Sequence, residues 1–178
     1  MNHNLKALFG SWDAAIGTFL SAIASTPSFK QNEVLQMNLD LLGNVMQATG
    51  SALAADSEKN LTLNKIGNQV QAIGNATVIS GIAIPFNEET KRKVTIQGNL
   101  FQAVGSSMAL PDLLDTNEIS MDTLYDIYGA FLQAIGNALQ GLSGIIELQG
   151  KRGENMDFAG SWIQTIGVFI QALVQNKH

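Results

Sequence analysis

Residues 160–167 read Gly-Ser-Trp-Ile-Gln-Thr-Ile-Gly, and residues 129–136 read Gly-Ala-Phe-Leu-Gln-Ala-Ile-Gly. Both stretches place two glycines seven residues apart with a glutamine at the fifth position. The glycine spacing occurs six times in the chain, five times with the glutamine and once with Ala14 in its place, and successive copies start 33, 24, 31, 31 and 31 residues apart. Self-similarity at a nearly fixed period is typical of proteins built from repeated supersecondary units. The six copies begin at Gly10, Gly43, Gly67, Gly98, Gly129 and Gly160.

Each copy lies in a stretch with helical periodicity. In the last copy Trp162, Ile166 and Phe169 fall on one arc at 100° per residue, whereas Gly160 and Gln164 fall on the opposite arc. Seven residues advance a helix by about 700°, so the two glycines of one copy lie within about 20° of each other. The sequence therefore predicts six helices, near residues 4–25, 29–55, 58–84, 88–110, 119–148 and 155–176.

Capping residues and prolines indicate where these helices begin and end. A polar residue before an acidic first turn is typical of a helix start, and a proline after an apolar run is typical of a helix end. The predicted starts are at Ser57, Asn87, Ser120 and Asn155, and the predicted ends precede Pro27, Pro85 and Pro111.

The paired glycines are costly for helices unless close packing compensates. Each glycine in a helix interior makes helix formation less favourable than alanine by roughly 1 kcal/mol, so twelve of them make it less favourable by on the order of 12 kcal/mol. A missing Cβ lets two helix backbones approach closely, and neighbouring glutamines can hydrogen-bond across the contact. We therefore predict a glycine zipper, whose helix-packing residues are Gly10, Gly17, Gly43, Gly50, Gly67, Gly74, Gly98, Gly105, Gly129, Gly136, Gly160 and Gly167, with Gln47, Gln71, Gln102, Gln133 and Gln164.

The predicted fold is all-α: one domain, residues 1–178, forming a compact bundle of about six antiparallel helices from glycine-containing repeats of about 31 residues. An open solenoid is the alternative that the period also permits. The first and last copies share Gly-Ser-Trp, which is consistent with neighbouring terminal helices. The aromatic side chains of the apolar arc are expected to pack in the core: Trp12, Trp162, Phe101, Phe131 and Phe169.

Four uncharged runs, 66–87, 94–111, 127–146 and 158–176, are long enough to span a membrane. Each carries an amide near its middle, such as Gln133, so the runs are amphipathic, and the sequence favours a soluble bundle over stable insertion. The amino terminus has features of a secretory signal, but Asp13 interrupts its apolar run. We therefore expect a first structural helix and a cytoplasmic protein.

Composition argues against several function classes. The net charge of −5 offers no basic surplus for nucleic acid, and the absence of cysteine excludes disulfides and thiolate metal sites. Only 14% of the residues are charged, whereas 15 Asn and 13 Gln carry much of the polarity. The histidines, His3 and His178, are terminal, so a catalytic triad is not expected.

The remaining charged clusters fit structural roles better than a ligand site. The acidic stretch at residues 112–126 lacks the spacing of a calcium loop, and its acids fit helix starts. Lys91-Arg92-Lys93 follows Glu88 and Glu89 at ion-pair spacing. No catalytic residue, metal site or cofactor is predicted.

The glycine phrases at 129–136 and 160–167 resemble those of repetitive, functionally uncharacterised proteins of Bacillus and related spore-forming bacteria. The resemblance implies an all-helical bacterial repeat protein and supplies no catalytic residues. The function expected first is a non-enzymatic structural or protein-interaction bundle that self-associates, as a homo-oligomer, through its glycine–glutamine stripes. The alternative is a membrane-active or lipid-binding protein that exposes its apolar arcs. A carrier for an apolar ligand is the third candidate function, and an enzyme is the fourth.

Overall fold

The computed structural model describes residues 2–29, 32–115 and 120–177, and within them the only regular secondary structure is helical. This confirms the predicted all-α class. Six long helices carry one glycine motif each, and a short helix of six residues follows the fourth. Their bounds are α1 His3–Ser25, α2 Glu33–Ser57, α3 Leu63–Ala83, α4 Glu88–Ser107, α5 Ala109–Leu114, α6 Met121–Leu148 and α7 Glu154–Gln175.

Side-chain caps fix most of the helix starts. The Asn87 side chain accepts a hydrogen bond from the backbone N–H of Thr90, and Ser120 caps α6 in the same way through Thr123. Both were predicted starts. The prediction for Ser57 is wrong, because α2 continues through it and Thr62 caps α3 instead.

Three other predicted boundaries differ from the structure. Helix α2 starts at Glu33 rather than at residue 29, since Asn32 is its cap. Helix α7 has Gly153 at its N-cap rather than Asn155. Pro111 does not terminate α4; it lies in the first turn of α5, where a helix does not need the missing N–H. The predicted start at residue 119 lies outside the described residues.

The six long helices form a closed ring in the order α1, α2, α3, α4, α6, α7, because each helix contacts the next and α7 contacts α1. Ring neighbours run antiparallel, and the ring consists of three helical hairpins, α1–α2, α3–α4 and α6–α7. Between α1 and α7, Trp12 packs edge-on against Phe169 and Phe19 against Trp162, with ring centroids 6.2 and 6.0 Å apart. The bundle is therefore closed and not an open solenoid, and the terminal helices are neighbours.

The polarity of this bundle is reversed relative to an ordinary soluble domain. Fifteen polar residues of the described chain are buried, against eleven apolar ones, which are all Ala, Val or Ile. The largest fully buried side chains are those of Asn75, Asn137, Thr18 and Ser106. Meanwhile 29 large apolar side chains of the described residues are exposed. Soluble interiors normally show the opposite distribution.

The predicted aromatic core is therefore wrong for two of its five members, Phe101 and Phe131. Phe101 and Phe131 are 46% and 54% exposed on the outer surface. Trp12, Trp162 and Phe169 are half-buried in the contact between α1 and α7. The helices turn the glycine–amide arc inward because it allows closer backbone approach, and this leaves the apolar arc on the outside.

Candidate functional site

The twelve motif glycines lie at the contacts within the three hairpins. A Cβ added to any one of them would lie within 2.8 Å of the carbonyl oxygen of a glycine on the partner helix. The first glycine of each motif faces the second glycine of its partner, as an antiparallel arrangement requires. The pairs are Gly10 with Gly50, Gly17 with Gly43, Gly67 with Gly105, Gly74 with Gly98, Gly129 with Gly167, and Gly136 with Gly160.

Three of the predicted glutamines meet inside the ring. The Gln164 side-chain Nε2 donates to Oε1 of Gln47 at 3.0 Å and lies 3.5 Å from Oε1 of Gln102. They come from α7, α2 and α4, the second helix of each hairpin, and each is no more than 5% exposed. We call Gln47, Gln102 and Gln164 the glutamine layer.

The other two predicted glutamines belong to first helices of hairpins. Gln133 is buried and its side-chain amide donates to Gln171, whose own Nε2 donates to the backbone carbonyl of Asp126 at 3.3 Å. Gln71 is half-buried and lines a cavity. In the first copy Ala14 occupies the corresponding position, so the ring has five motif glutamines instead of six.

Small polar side chains fill the contacts between hairpins. The Thr165 hydroxyl donates to the backbone carbonyl of Thr18 at 3.1 Å, which joins α7 to α1. The side-chain amide of Asn137 approaches the Ser106 hydroxyl at 3.5 Å, between α6 and α4. The Oδ1 atoms of Asn75 and Asn137 are buried without a hydrogen-bond partner. Asn75 and Asn137 are amides of the uncharged runs, but they were not among the predicted helix-packing residues.

Two polar cavities lie toward opposite ends of the ring. The first, of about 270 Å³, is lined by residues of α1, α2, α3, α5, α6 and α7, including Asn68, Gln71 and Gln133. The second, of about 90 Å³, is lined by all six long helices, including Asn44, Asn99 and Gln102. They share no lining residue among the described residues. Because nearly all ring helices contribute to both, the cavities occupy the interior of the ring.

Carboxylates line both cavities. Glu58 and Asp126 line the first, whereas Asp40 and Asp157 line the second. Neither cavity is lined by a Lys or Arg of the described residues. A third cavity, of about 320 Å³, adjoins the second at Asp40 and Asp157 and carries mixed charge.

Burial makes Asp40 unusual among these acids. Desolvation raises the pKa of Asp40 to about 6, against the opposing effects of hydrogen bonds from Ser21 and Asn44 and of the charge of Lys91. The Asn44 Nδ2 atom donates to Asp40 Oδ1 at 2.9 Å. Asp40 lies just outside the uncharged stretch of α2, residues 41–55. No motif in the sequence marks Asp40, because only the ring order brings residues of α2, α4 and α7 to the same cavity.

The outer surface carries large apolar side chains around the middles of the long helices, and we call this zone the apolar belt. Each long helix exposes a large apolar side chain near its middle, between 39% and 58% accessible: Ile16, Val45, Ile73, Phe101, Ile135 and Ile166. Charged residues lie toward the two ends of the helices, with Asp13 of α1 as the exception among the described residues. Helix α3, with 21 residues, is about 31 Å long.

One helix of the described residues meets a simple criterion for a membrane span. His3–Ser25 has a stretch with mean hydropathy of 1.3, of which a third is buried. A signal sequence or a buried core helix can meet the same criterion. The criterion averages over all residues of a helix. In the other helices the inward glycines and amides lower this mean hydropathy, although the outward faces are apolar.

The charged clusters considered from the sequence take structural positions. Asp112 accepts a hydrogen bond from the backbone N–H of Asn64 at 2.7 Å, and Asp122 pairs with Lys177. In the basic run, Lys93 pairs with Glu89, and Arg92 pairs with Glu147 of α6. His3 Nδ1 lies 2.9 Å from the backbone carbonyl of Ser57. Glu118 and His178 lie outside the described residues.

Comparison with known families gives a match over most of the chain. Residues 5–172 match a family described as "Family of unknown function (DUF6944)". No curated protein and no solved structure is detectably similar to the chain. The interior of the ring and the apolar belt are therefore interpreted from their own geometry.

Proposed function

The chain belongs to that family of unknown function, and we propose that it works in a lipid bilayer as a six-helix barrel. In this proposal the acyl chains of the lipid cover the apolar belt, and the polar side chains face the barrel interior. The function is non-enzymatic and is that of a membrane-active protein.

One observation carries the proposal: the bundle buries amides and hydroxyls while it exposes its large apolar side chains. In water, large exposed apolar patches are rare on a monomer and mark surfaces that something else covers. Acyl chains remove that surface from water without requiring a complementary shape. Backbone polar groups are satisfied within the helices, as a bilayer demands.

The dimensions and charges support lipid as the covering material. The hydrocarbon core of a bilayer is about 30 Å thick, and α3 is about 31 Å long. Ion pairs such as Lys6 with Asp56 and Lys177 with Asp122 lie at one end of the ring. Lys93 with Glu89 and Arg92 with Glu147 lie at the other. An apolar zone between two charged ends matches the polarity profile of a membrane.

The glycine pairs fit the same environment. Between helices in lipid there is little hydrophobic driving force, so association depends on close backbone packing and interhelical hydrogen bonds. Small residues at the contact allow the close backbone packing, and buried amides provide the interhelical hydrogen bonds. We propose that the six glycine pairs act as glycine zippers that hold each hairpin together.

The proposal adopts the second of the functions expected from the sequence. A cytoplasmic bundle that self-associates through its glycine–glutamine stripes was expected first, but in this structure the stripes lie inside the ring. Further copies of the chain are therefore an alternative covering for the apolar belt, and they require a different contact from the one expected. Flotation with lipid vesicles separates the two coverings.

The test is flotation of purified protein with vesicles of phosphatidylcholine and phosphatidylglycerol, followed by an alkaline carbonate wash. We expect the protein to float and to remain with the lipid after the wash, since carbonate removes proteins bound only at the surface. A monomer that stays at the bottom of the gradient would overturn the proposal. So would protein released by the wash, or lipid-free oligomers that remain at the bottom; the last result would favour self-association.

A further inference from the structure

We infer that the interior of the barrel is a path for small monovalent cations, closed at its middle by the glutamine layer. This inference rests on the proposed membrane function, since a path across a bilayer requires insertion. It adds the class of solute and names the residues that control its passage.

The first step is the position of the two polar cavities. They lie toward opposite ends of the ring, and residues of nearly every ring helix line each of them. In a barrel that spans a bilayer, the cavities would face the two sides of the membrane. Each has room for several water molecules, and their linings contain hydroxyl, amide and carboxylate oxygens that can replace part of the hydration shell of an ion.

The second step is the closure between the cavities. Gln164 is its centre, because its amide nitrogen donates to Gln47 and its amide oxygen accepts from Gln140 at 2.8 Å. Gln102 and Gln140 line the second cavity, whereas Gln133 lines the first, so amides occupy the space that separates them.

The chemistry of this layer suits a closure that opens. Glutamine side chains have three rotatable torsions, and individual hydrogen bonds contribute little net free energy. When the amides rotate apart, they can bind water or an ion. A leucine at the same place would instead present a dry barrier, which blocks conduction by dewetting.

The charge of the cavity linings determines which ions the path accepts. Glu58 and Asp126 line one cavity, and Asp40 and Asp157 line the other, without a basic lining residue in the described part of the chain. In the third cavity, which adjoins the second, Lys91 and Arg92 are accompanied by Glu88 and Glu147. Carboxylates in a narrow space with low-dielectric walls attract cations and repel anions. The glutamine layer and a second cavity of about 90 Å³ favour monovalent ions over larger solutes.

The experiment measures potassium efflux and chloride efflux from vesicles that contain the reconstituted full chain. We expect potassium efflux above that of protein-free vesicles and chloride efflux equal to theirs. Gln164→Ala should raise potassium efflux about tenfold, because it removes the centre of the closure. Gln164→Leu should reduce it below the unmodified protein.

Gln97→Ala provides the matched control, because Gln97 is exposed on the outside of α4. It should leave the efflux unchanged. Exchange of Glu58 and Asp126 for Gln and Asn should reduce the preference for potassium over chloride. All variants are checked for flotation, which identifies any that fail to insert.

The outcomes distinguish this inference from the function on which it rests. If the protein inserts but neither it nor Gln164→Ala passes potassium, the cation path is wrong and the membrane function stands. Equal efflux of potassium, chloride and a large dye would also overturn it, since that pattern indicates bilayer disruption. If the protein does not insert, both proposals fail.

Discussion

Gly136 and Gly160 face each other so closely that a Cβ added to either would lie 2.6 Å from the carbonyl oxygen of the other. The Gly136 Cβ would also lie 2.5 Å from the backbone nitrogen of Gln164, the residue at the centre of the glutamine layer. Backbone atoms cannot move aside as a flexible side chain can. This contact therefore links the spacing of α6 and α7 to the position of Gln164.

Gly136→Ala should destabilise the protein by about 1–3 kcal/mol, because overpacking at this contact outweighs the gain in helix propensity. Thermal unfolding in detergent, followed by circular dichroism, measures the change. Ala52 lies on the exposed face of α2. Ala52→Gly should lower the free energy of unfolding by about 1 kcal/mol, and this change measures the effect of helix propensity alone. A Gly136→Ala variant that melts above the unmodified protein would show that the close contact is absent.

Ile73→Lys should weaken vesicle binding, because Ile73 lies at the middle of α3 and is 58% exposed in the apolar belt. A lysine at the centre of a membrane helix costs roughly 2.5–3.5 kcal/mol. Leu61→Lys is the matched control, since Leu61 is 78% exposed but lies in the loop at one end of the ring. Flotation of both variants gives the comparison. Equal binding by the two would argue against a lipid-facing belt.

Trp162→Ala should open the contact between α1 and α7. The Trp162 ring packs against Phe19, and its Nε1 donates to the Thr26 hydroxyl at 3.3 Å. Loss of this half-buried ring should cost about 3 kcal/mol in detergent. Phe131→Ala, on the outer surface, should cost less than about 1 kcal/mol. If both variants lost similar free energy of unfolding, the contact between α1 and α7 would contribute no more to stability than an exposed aromatic ring does.

The raised pKa of Asp40 predicts a pH dependence of stability. Below its ordinary pKa of 3.8 the Asp40 carboxyl is protonated in both the folded and the unfolded chain, so it does not lower the free energy of unfolding. Between that value and about 6 the unfolded chain loses the proton first, so the free energy of unfolding falls as the pH rises, by at most about 3 kcal/mol. Lys91 and Asp157 line the adjoining cavity with Asp40.

Asp40→Asn should remove this contribution. Its unfolding free energy relative to the unmodified protein should therefore be higher at pH 7 than at pH 4, as measured by circular dichroism in detergent. The comparison isolates Asp40 because the other carboxylates are common to both proteins. Parallel curves over this range would contradict the assignment.

The glycine repeat predicted the six long helices and the close helix packing at Gly136 and Gly160. It could not predict which arc faces outward, because a helical period describes two opposite arcs without assigning either to the interior. Phe131 was placed in the core by analogy with soluble proteins. The contrary signal was the scarcity of Lys and Glu on the glycine–glutamine arc, since a water-facing arc normally carries charge.

The internal site depended on the ring order and was beyond the sequence pattern. Gln47, Gln102 and Gln164 belong to different hairpins, so their meeting requires closure of the ring by α1 and α7. The Gly-Ser-Trp shared by the first and last copies indicated that closure. Asp40 had no motif of its own, and its position depends on the ring, in which residues of α2, α4 and α7 line the same cavity.

The most direct test of the central claim measures the depth of Ile73 in the bilayer. The chain has no cysteine, so a single cysteine at Ile73 or at Leu61 can carry a fluorescent label without interference. We predict that lipids brominated deep in the acyl chain quench the label at residue 73 most strongly. Aqueous iodide should quench the label at residue 61 instead. Quenching at residue 73 by iodide, with no effect of the brominated lipids, would contradict a barrel whose apolar belt faces lipid.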